Sequence, residues 1–134
     1  ELAQQVRSAG GKVGFVTTTY KPNIDAIFDL RHAGFTRATV DLIIGRADVQ
    51  HGKPAPDAYE AALSKAALNP SDVIAIEDTV SSAKSAKRAG LNVILTPGAF
   101  ATATEEADVD LTIPALANRQ GELNRQVLDM IGPD

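Results

Sequence analysis

Val73-Ile74-Ala75-Ile76-Glu77-Asp78-Thr79 decides the fold. Four apolar residues end abruptly on two acids and a threonine. An Ala/Ser/Lys segment follows, stops at Gly90, and gives way to a second apolar run, Asn92-Val93-Ile94-Leu95, closed by Pro97-Gly98. Runs this short and this uniformly apolar read as strands buried on both faces, and the segment between them reads as a helix stopped by glycine.

The same alternation extends toward the start of the chain. Leu2 to Ala9 has helical composition and meets a stop at Gly10-Gly11; Lys12 to Val16 reads as a buried strand, with Gly14 its weak point. Pro22-Asn23 opens a helix running toward Gly34, and Asp41 to Gly45 is another short apolar run. After a polar loop, Arg46 to Pro56, the residues Tyr59, Ala62, Leu63 and Ala66 fall on one face of a helix over Asp57 to Leu68. Beyond Pro97 a short edge strand is expected at Asp110 to Ile113 and an amphipathic helix at Glu122 to Ile131. Strands alternating with helices imply an α/β fold, an open parallel sheet of the doubly wound, Rossmann-like kind with helices on both faces. Ligands of such sheets bind at the carboxyl ends of the strands.

Composition narrows the function classes. A chain of 134 residues, 44% hydrophobic, has the size and apolar content of one domain with a real core. With no cysteine, disulfides, thiolate nucleophiles and Cys-bound zinc are excluded, and a reducing cytoplasm is a compatible location. A net charge of −4 lacks the basic surplus of a general nucleic-acid binder. No stretch approaches the roughly 20 apolar residues that cross a bilayer, and the first residues carry no signal pattern. The expected partner is a small molecule.

Three polar groups stand at strand ends or in the adjoining loop: Thr17-Thr18-Thr19, Lys53 within His51-Gly52-Lys53-Pro54, and Glu77-Asp78-Thr79. Each has an ordinary role beside a functional one. Threonines make turns and caps, yet Thr17 could donate its hydroxyl, and Thr18 its amide, to a phosphoryl oxygen. A lysine is usually solvated, but glycine before Lys53 and prolines at 54 and 56 restrict its loop, which lowers the entropy lost in holding an ammonium over an oxyanion. Glu77 and Asp78 could serve the dipole of the next helix. Adjacent carboxylates repel, however, and a hard cation such as Mg²⁺, which takes one or two protein carboxylates, would relieve them. Thr79 fits as a helix N-cap. His32 and His51 lack a partner at metal-ligand spacing, and Lys84, Lys87 and Arg88 read as a solvated face.

In order, Val13-Gly14-Phe15-Val16-Thr17-Thr18-Thr19, Gly52-Lys53-Pro54-Ala55-Pro56-Asp57-Ala58-Tyr59 and Ile76-Glu77-Asp78-Thr79 with Ala89-Gly90-Leu91 resemble the haloacid dehalogenase superfamily, in its phosphoglycolate phosphatase and β-phosphoglucomutase-like branch. The resemblance implies that Thr17 binds phosphate, that Lys53 is the motif lysine and that Asp78, with Glu77 second, holds Mg²⁺. It further implies a phosphatase for a small phosphate monoester, a sugar phosphate or phosphoglycolate, acting through an aspartyl-phosphate. The family's Asp-x-Asp-Gly-Thr motif is not among these residues: Asp25, Asp29, Asp41 and Asp48 lack its context.

The chain therefore reads as the C-terminal part of a core whose nucleophile strand and cap lie upstream, and as inactive by itself. That strand would sit centrally, flanked by the strands ending at Thr17 and Ile76. Departures are Thr18 where the family often has Asn, and Ser82 where a glycine is common. The alternatives are a phosphosugar mutase, a Mg²⁺-independent dehalogenase, or a non-catalytic α/β module that binds a phosphorylated ligand or docks a partner.

Overall fold

The computed structural model describes residues 2–30, 35–98, 108–113 and 116–131. The chain forms two compact units, Glu1–Gly52 with Asp57–Ala67, and Lys53–Pro56 with Leu68–Asp134.

The first unit contains α1 (Leu2–Ser8), β1 (Gly14–Val16), α2 (Lys21–Asp29), β2 (Leu42–Ile44) and α3 (Asp57–Ala66). α1 ends where Gly10 takes φ +81°; the Gly10 N–H then bonds to the Arg7 carbonyl (3.0 Å) and the Gly11 N–H to that of Val6 (2.9 Å), which satisfies the last carbonyls of the helix. β1 and β2 are parallel, with Gly14, Phe15 and Val16 opposite Leu42, Ile43 and Ile44.

Side-chain alternation along this pair sends residues to two faces. Phe15 meets the Phe28 ring of α2 edge-on, 5.3 Å between centroids. On the other face Val16, Leu42 and Ile44 pack with Ala58, Ala61, Ala62 and Ala66 of α3. Gly14 lies on that second face, where an added Cβ would come within 3.1 Å of Leu42 Cδ1, so the glycine in this strand makes room for Leu42. The expected strand start at Lys12 shifts to Gly14 because the Val13 N–H is bonded to the Asp41 carboxylate (2.8 Å) rather than to a strand carbonyl.

The second unit contains β3 (Ile74–Glu77), α4 (Val80–Arg88), β4 (Asn92–Leu95), β5 (Leu111–Thr112) and α5 (Leu116–Ile131). Its sheet has the order β3-β4-β5, all parallel, with Ile74 to Glu77 opposite Asn92 to Leu95, and Ile94 and Leu95 opposite Leu111 and Thr112. Val93 and Ile94 are fully buried, as expected of a strand covered on both faces. Thr79 is the N-cap of α4 foreseen from sequence, its Oγ1 accepting the Ser82 N–H at 3.2 Å.

Gly90, at φ +87°, closes α4: its N–H bonds to the Lys87 carbonyl and that of Leu91 to the Ala86 carbonyl. Asp110 ties β4, β5 and α4 together, since its carboxylate accepts the Val93 N–H (2.6 Å) and the Lys87 ammonium (3.1 Å).

The α/β class, the parallel pairing and each anticipated helix and strand are present. α5 begins earlier than the expected Glu122 because it runs through Gly121, an interior glycine whose cost of about 1 kcal/mol relative to alanine the rest of the helix absorbs. Short 3₁₀ turns at Arg37–Thr39, Arg46–Asp48 and Pro70–Asp72 had no apolar period to announce them. Among the described residues the strands form a two-stranded and a three-stranded sheet. No helix of the described residues is long and apolar enough to cross a membrane.

Candidate functional site

In the first unit, the polar end of β1 is tied to the end of β2. The Thr17 N–H continues the ladder to the Ile44 carbonyl (2.9 Å), and the Arg46 N–H reaches the Thr19 carbonyl (2.9 Å). Thr17 is half-buried and Thr18 exposed. The Thr17 hydroxyl oxygen accepts the Thr19 N–H at 3.3 Å, a local turn bond that leaves its own proton to be donated elsewhere.

Thr19 does not cap the α2 backbone. Its oxygen accepts from the Asn23 side-chain amide (3.0 Å), and Tyr20 stands at the N-cap without a side-chain cap bond. His51 has a local role at the start of α3: its N–H donates to Asp57 Oδ2 (3.0 Å), and its Nδ1 lies 3.0 Å from the same oxygen. The backbone N–H of His51, more than its ring, holds the Asp57 carboxyl below the usual range.

The second unit brings together Lys53 and Glu77. Glu77 is the last residue of β3, and Lys53 Nζ donates to its Oε1 at 2.6 Å, with side chains only 6% and 10% exposed. Burial pushes the Glu77 carboxyl above its ordinary range; the Lys53 ammonium and a hydrogen bond from Ser82 pull the other way, while the charge of Asp78 adds to the rise. Asp78 itself is exposed at the carboxyl end of the strand. Ser82, where the family often has glycine, thus acts on this pair.

The backbone around Lys53 is anchored by α4. The Ser85 hydroxyl donates to the Ala55 carbonyl (2.6 Å), and Arg88 Nη1 donates to that of Pro54 (2.9 Å), next to a cis Lys53–Pro54 peptide. Arg88 and Lys84 are exposed, as expected of a solvated face, although Arg88 also serves this loop; Lys87 is half-buried and paired with Asp110. Beyond Glu77, buried Thr96 donates both its N–H (2.7 Å) and its hydroxyl (3.3 Å) to the Glu77 carbonyl. Sequence reasoning missed Ser85, Arg88 and Thr96. For Ser85 a signal existed: it is a polar residue beside Ala83 and Ala86, in a helix whose small residues face the core.

Among the described residues no group of three or more His, Cys, Asp or Glu side chains could by itself hold a metal ion. The donor set at the end of β3 still suits Mg²⁺, which takes one or two carboxylates and completes its shell with water and phosphate oxygens. Of the two acids, Asp78 is the exposed one, whereas the Glu77 carboxylate is engaged by Lys53 and Ser82.

Residues 1–96 match the family model described as haloacid dehalogenase-like hydrolase. Protein CbbY of Rhodobacter capsulatus is 32% identical over 117 residues, which cover 87% of this chain and 52% of that protein. Among solved structures, CbbY from Rhodobacter sphaeroides in complex with phosphate superposes with a TM-score of 0.77 at 31% identity, covering 84% of this chain and 50% of that one. A β-phosphoglucomutase-like structure from Thermotoga maritima, at 22% identity, gives a TM-score of 0.78 over 95% of this chain and 58% of its own, and shows the shared fold. The chain spans about half the length of the curated relatives it matches.

Proposed function

The chain belongs to the haloacid dehalogenase-like hydrolase family, and on that premise we propose that it forms the phosphate- and Mg²⁺-binding part of a phosphatase acting on a small phosphorylated metabolite. The observation that carries the reading is the Lys53–Glu77 pair, 2.6 Å apart and nearly buried, at the carboxyl end of a parallel strand beside exposed Asp78. Burying an ion pair contributes little net stability, so a lysine held this way at the strand ends, where ligands of parallel sheets bind, points to a task in binding.

In this reading Lys53 neutralises charge on the transferring phosphoryl group, and Thr17 donates its hydroxyl, with the Thr18 amide, to a phosphoryl oxygen. Asp78 holds Mg²⁺, which when bound supplies electrostatic stabilisation of the phosphate. Glu77 serves mainly to hold the Lys53 ammonium. The nucleophilic aspartate and the cap belong to a segment upstream of Glu1. Attack of that aspartate on phosphorus breaks the P–O bond to the substrate alcohol, which leaves with a proton, and gives an aspartyl-phosphate; water then attacks phosphorus, the bond to the aspartate breaks, and phosphate and the free carboxylate result. The family's hydrolase character favours water over a sugar hydroxyl as the acceptor.

The test is phosphate release by the full-length protein from a panel of sugar phosphates and phosphoglycolate, with Mg²⁺ and with chelator, run beside an assay for sugar-phosphate isomerisation. Chelator-sensitive release supports the proposal. Isomerisation without release makes the protein a mutase, phosphate release indifferent to chelation removes Mg²⁺ from the proposal, and no turnover on any monoester leaves a binding module or a Mg²⁺-independent dehalogenase.

A further inference from the structure

We propose that Ser85 is a positioning residue for Lys53, acting through the backbone of the 53–56 loop; its catalytic consequence rests on the phosphatase reading above. Pro54 and Pro56 have no N–H, so this segment is short of donors with which to anchor itself. Its carbonyls are the available handles, and α4 supplies a donor to two of them in succession: Arg88 to Pro54 at 2.9 Å and Ser85 to Ala55 at 2.6 Å.

These donors sit three residues apart, hence on one face of the helix. Ser85 is fully buried, and a mid-helix serine ordinarily returns its hydroxyl to the carbonyl one turn back; here it reaches a carbonyl thirty residues away in sequence. Lys53 is consequently restrained from two sides, its ammonium by Glu77 and the loop that follows it by α4 through the Pro54 and Ala55 carbonyls. Without the Ser85 hydroxyl the Ala55 carbonyl loses its donor and the loop its innermost anchor, so the Lys53 ammonium loses one of its restraints and ranges more widely.

The experiment compares the wild-type full-length protein with Ser85→Ala, Ser85→Thr and Arg88→Met. Acetylation of individual lysines by a limiting amine-reactive ester is followed by mass spectrometry, with exposed Lys65 as the internal reference. Ser85→Ala is expected to raise the Lys53 rate several-fold relative to Lys65, Ser85→Thr to restore it toward wild type, and Arg88→Met to raise it less. Under the phosphatase reading, Ser85→Ala also lowers kcat for phosphate release by about 10- to 100-fold, the penalty of a misplaced catalytic group.

A Lys53 rate unchanged relative to Lys65 in Ser85→Ala overturns the proposal, as does a Ser85→Thr variant no closer to wild type than Ser85→Ala. If Ser85→Ala fails to fold, Arg88→Met decides in the same way. The labelling result stands whether or not the wild-type protein hydrolyses phosphate esters, so failure of the phosphatase reading and failure of the positioning role are read separately.

Discussion

Replacing Lys53 by methionine keeps most of the apolar stem and removes the charge facing Glu77. With the two side chains 6% and 10% exposed, the pair lies in the buried class, where loss of one partner costs about 3–5 kcal/mol because the remaining charge is stranded. The Glu77 carboxyl can escape that cost by taking up a proton. Its pKa is already raised by burial against the pull of Lys53, and without Lys53, the largest lowering influence, it rises further.

A raised folded-state pKa means that the folded protein holds a proton which the unfolded chain releases. The associated stability is complete below the unfolded glutamate pKa and is lost as pH rises through the folded pKa, at up to about 1.4 kcal/mol per pH unit. The deficit of Lys53→Met should therefore be about 3 kcal/mol near neutrality and shrink to about 1 kcal/mol or less below pH 4.5. Urea unfolding of full-length wild type and variant across this pH range measures it. A deficit that is flat with pH, or below about 0.5 kcal/mol at neutrality as for a surface ion pair, would refute the reasoning.

Ala67 follows α3 at φ +55°, a left-handed conformation that costs an L-residue about 1–2 kcal/mol and glycine almost nothing sterically. Since glycine brings its own entropic cost, Ala67→Gly should stabilise the protein by up to about 1 kcal/mol in the same urea assay. A loss of stability would contradict this. The Asp110 carboxyl is held below its ordinary range, first by the Val93 N–H and then by Lys87, so its stabilisation is present above the unfolded pKa and lost as pH falls through the lowered one. Asp110→Asn should lower stability at neutral pH and flatten the acid-side decline; a decline as steep as wild type would show that other carboxylates dominate it.

Much of the fold was legible because short apolar runs and glycine stops carry the β/α alternation without tertiary information. Gly10 and Gly90 stop their helices as read, and Thr79 caps α4. What was not legible depended on partners distant in sequence. The start of β1 is set by Asp41, the Pro54 and Ala55 carbonyls beside Lys53 are held by Arg88 and Ser85, and the Thr19 oxygen is taken by Asn23 instead of the helix backbone. At the site, the nearness of Lys53 to the Glu77-Asp78 pair was anticipated. The unequal standing of the two acids was only partly so, since the burial of Glu77 and its capture by Lys53 leave no trace in local pattern.

Calorimetric titration of orthophosphate into full-length wild type and Asp78→Asn, each with Mg²⁺ and with chelator, reads out whether the carboxyl end of β3 forms a phosphate and Mg²⁺ site. Mg²⁺ is expected to tighten binding to wild type, and Asp78→Asn to remove most of this gain. Equal affinity with and without Mg²⁺ in wild type, or an undiminished Mg²⁺ effect in Asp78→Asn, would contradict it.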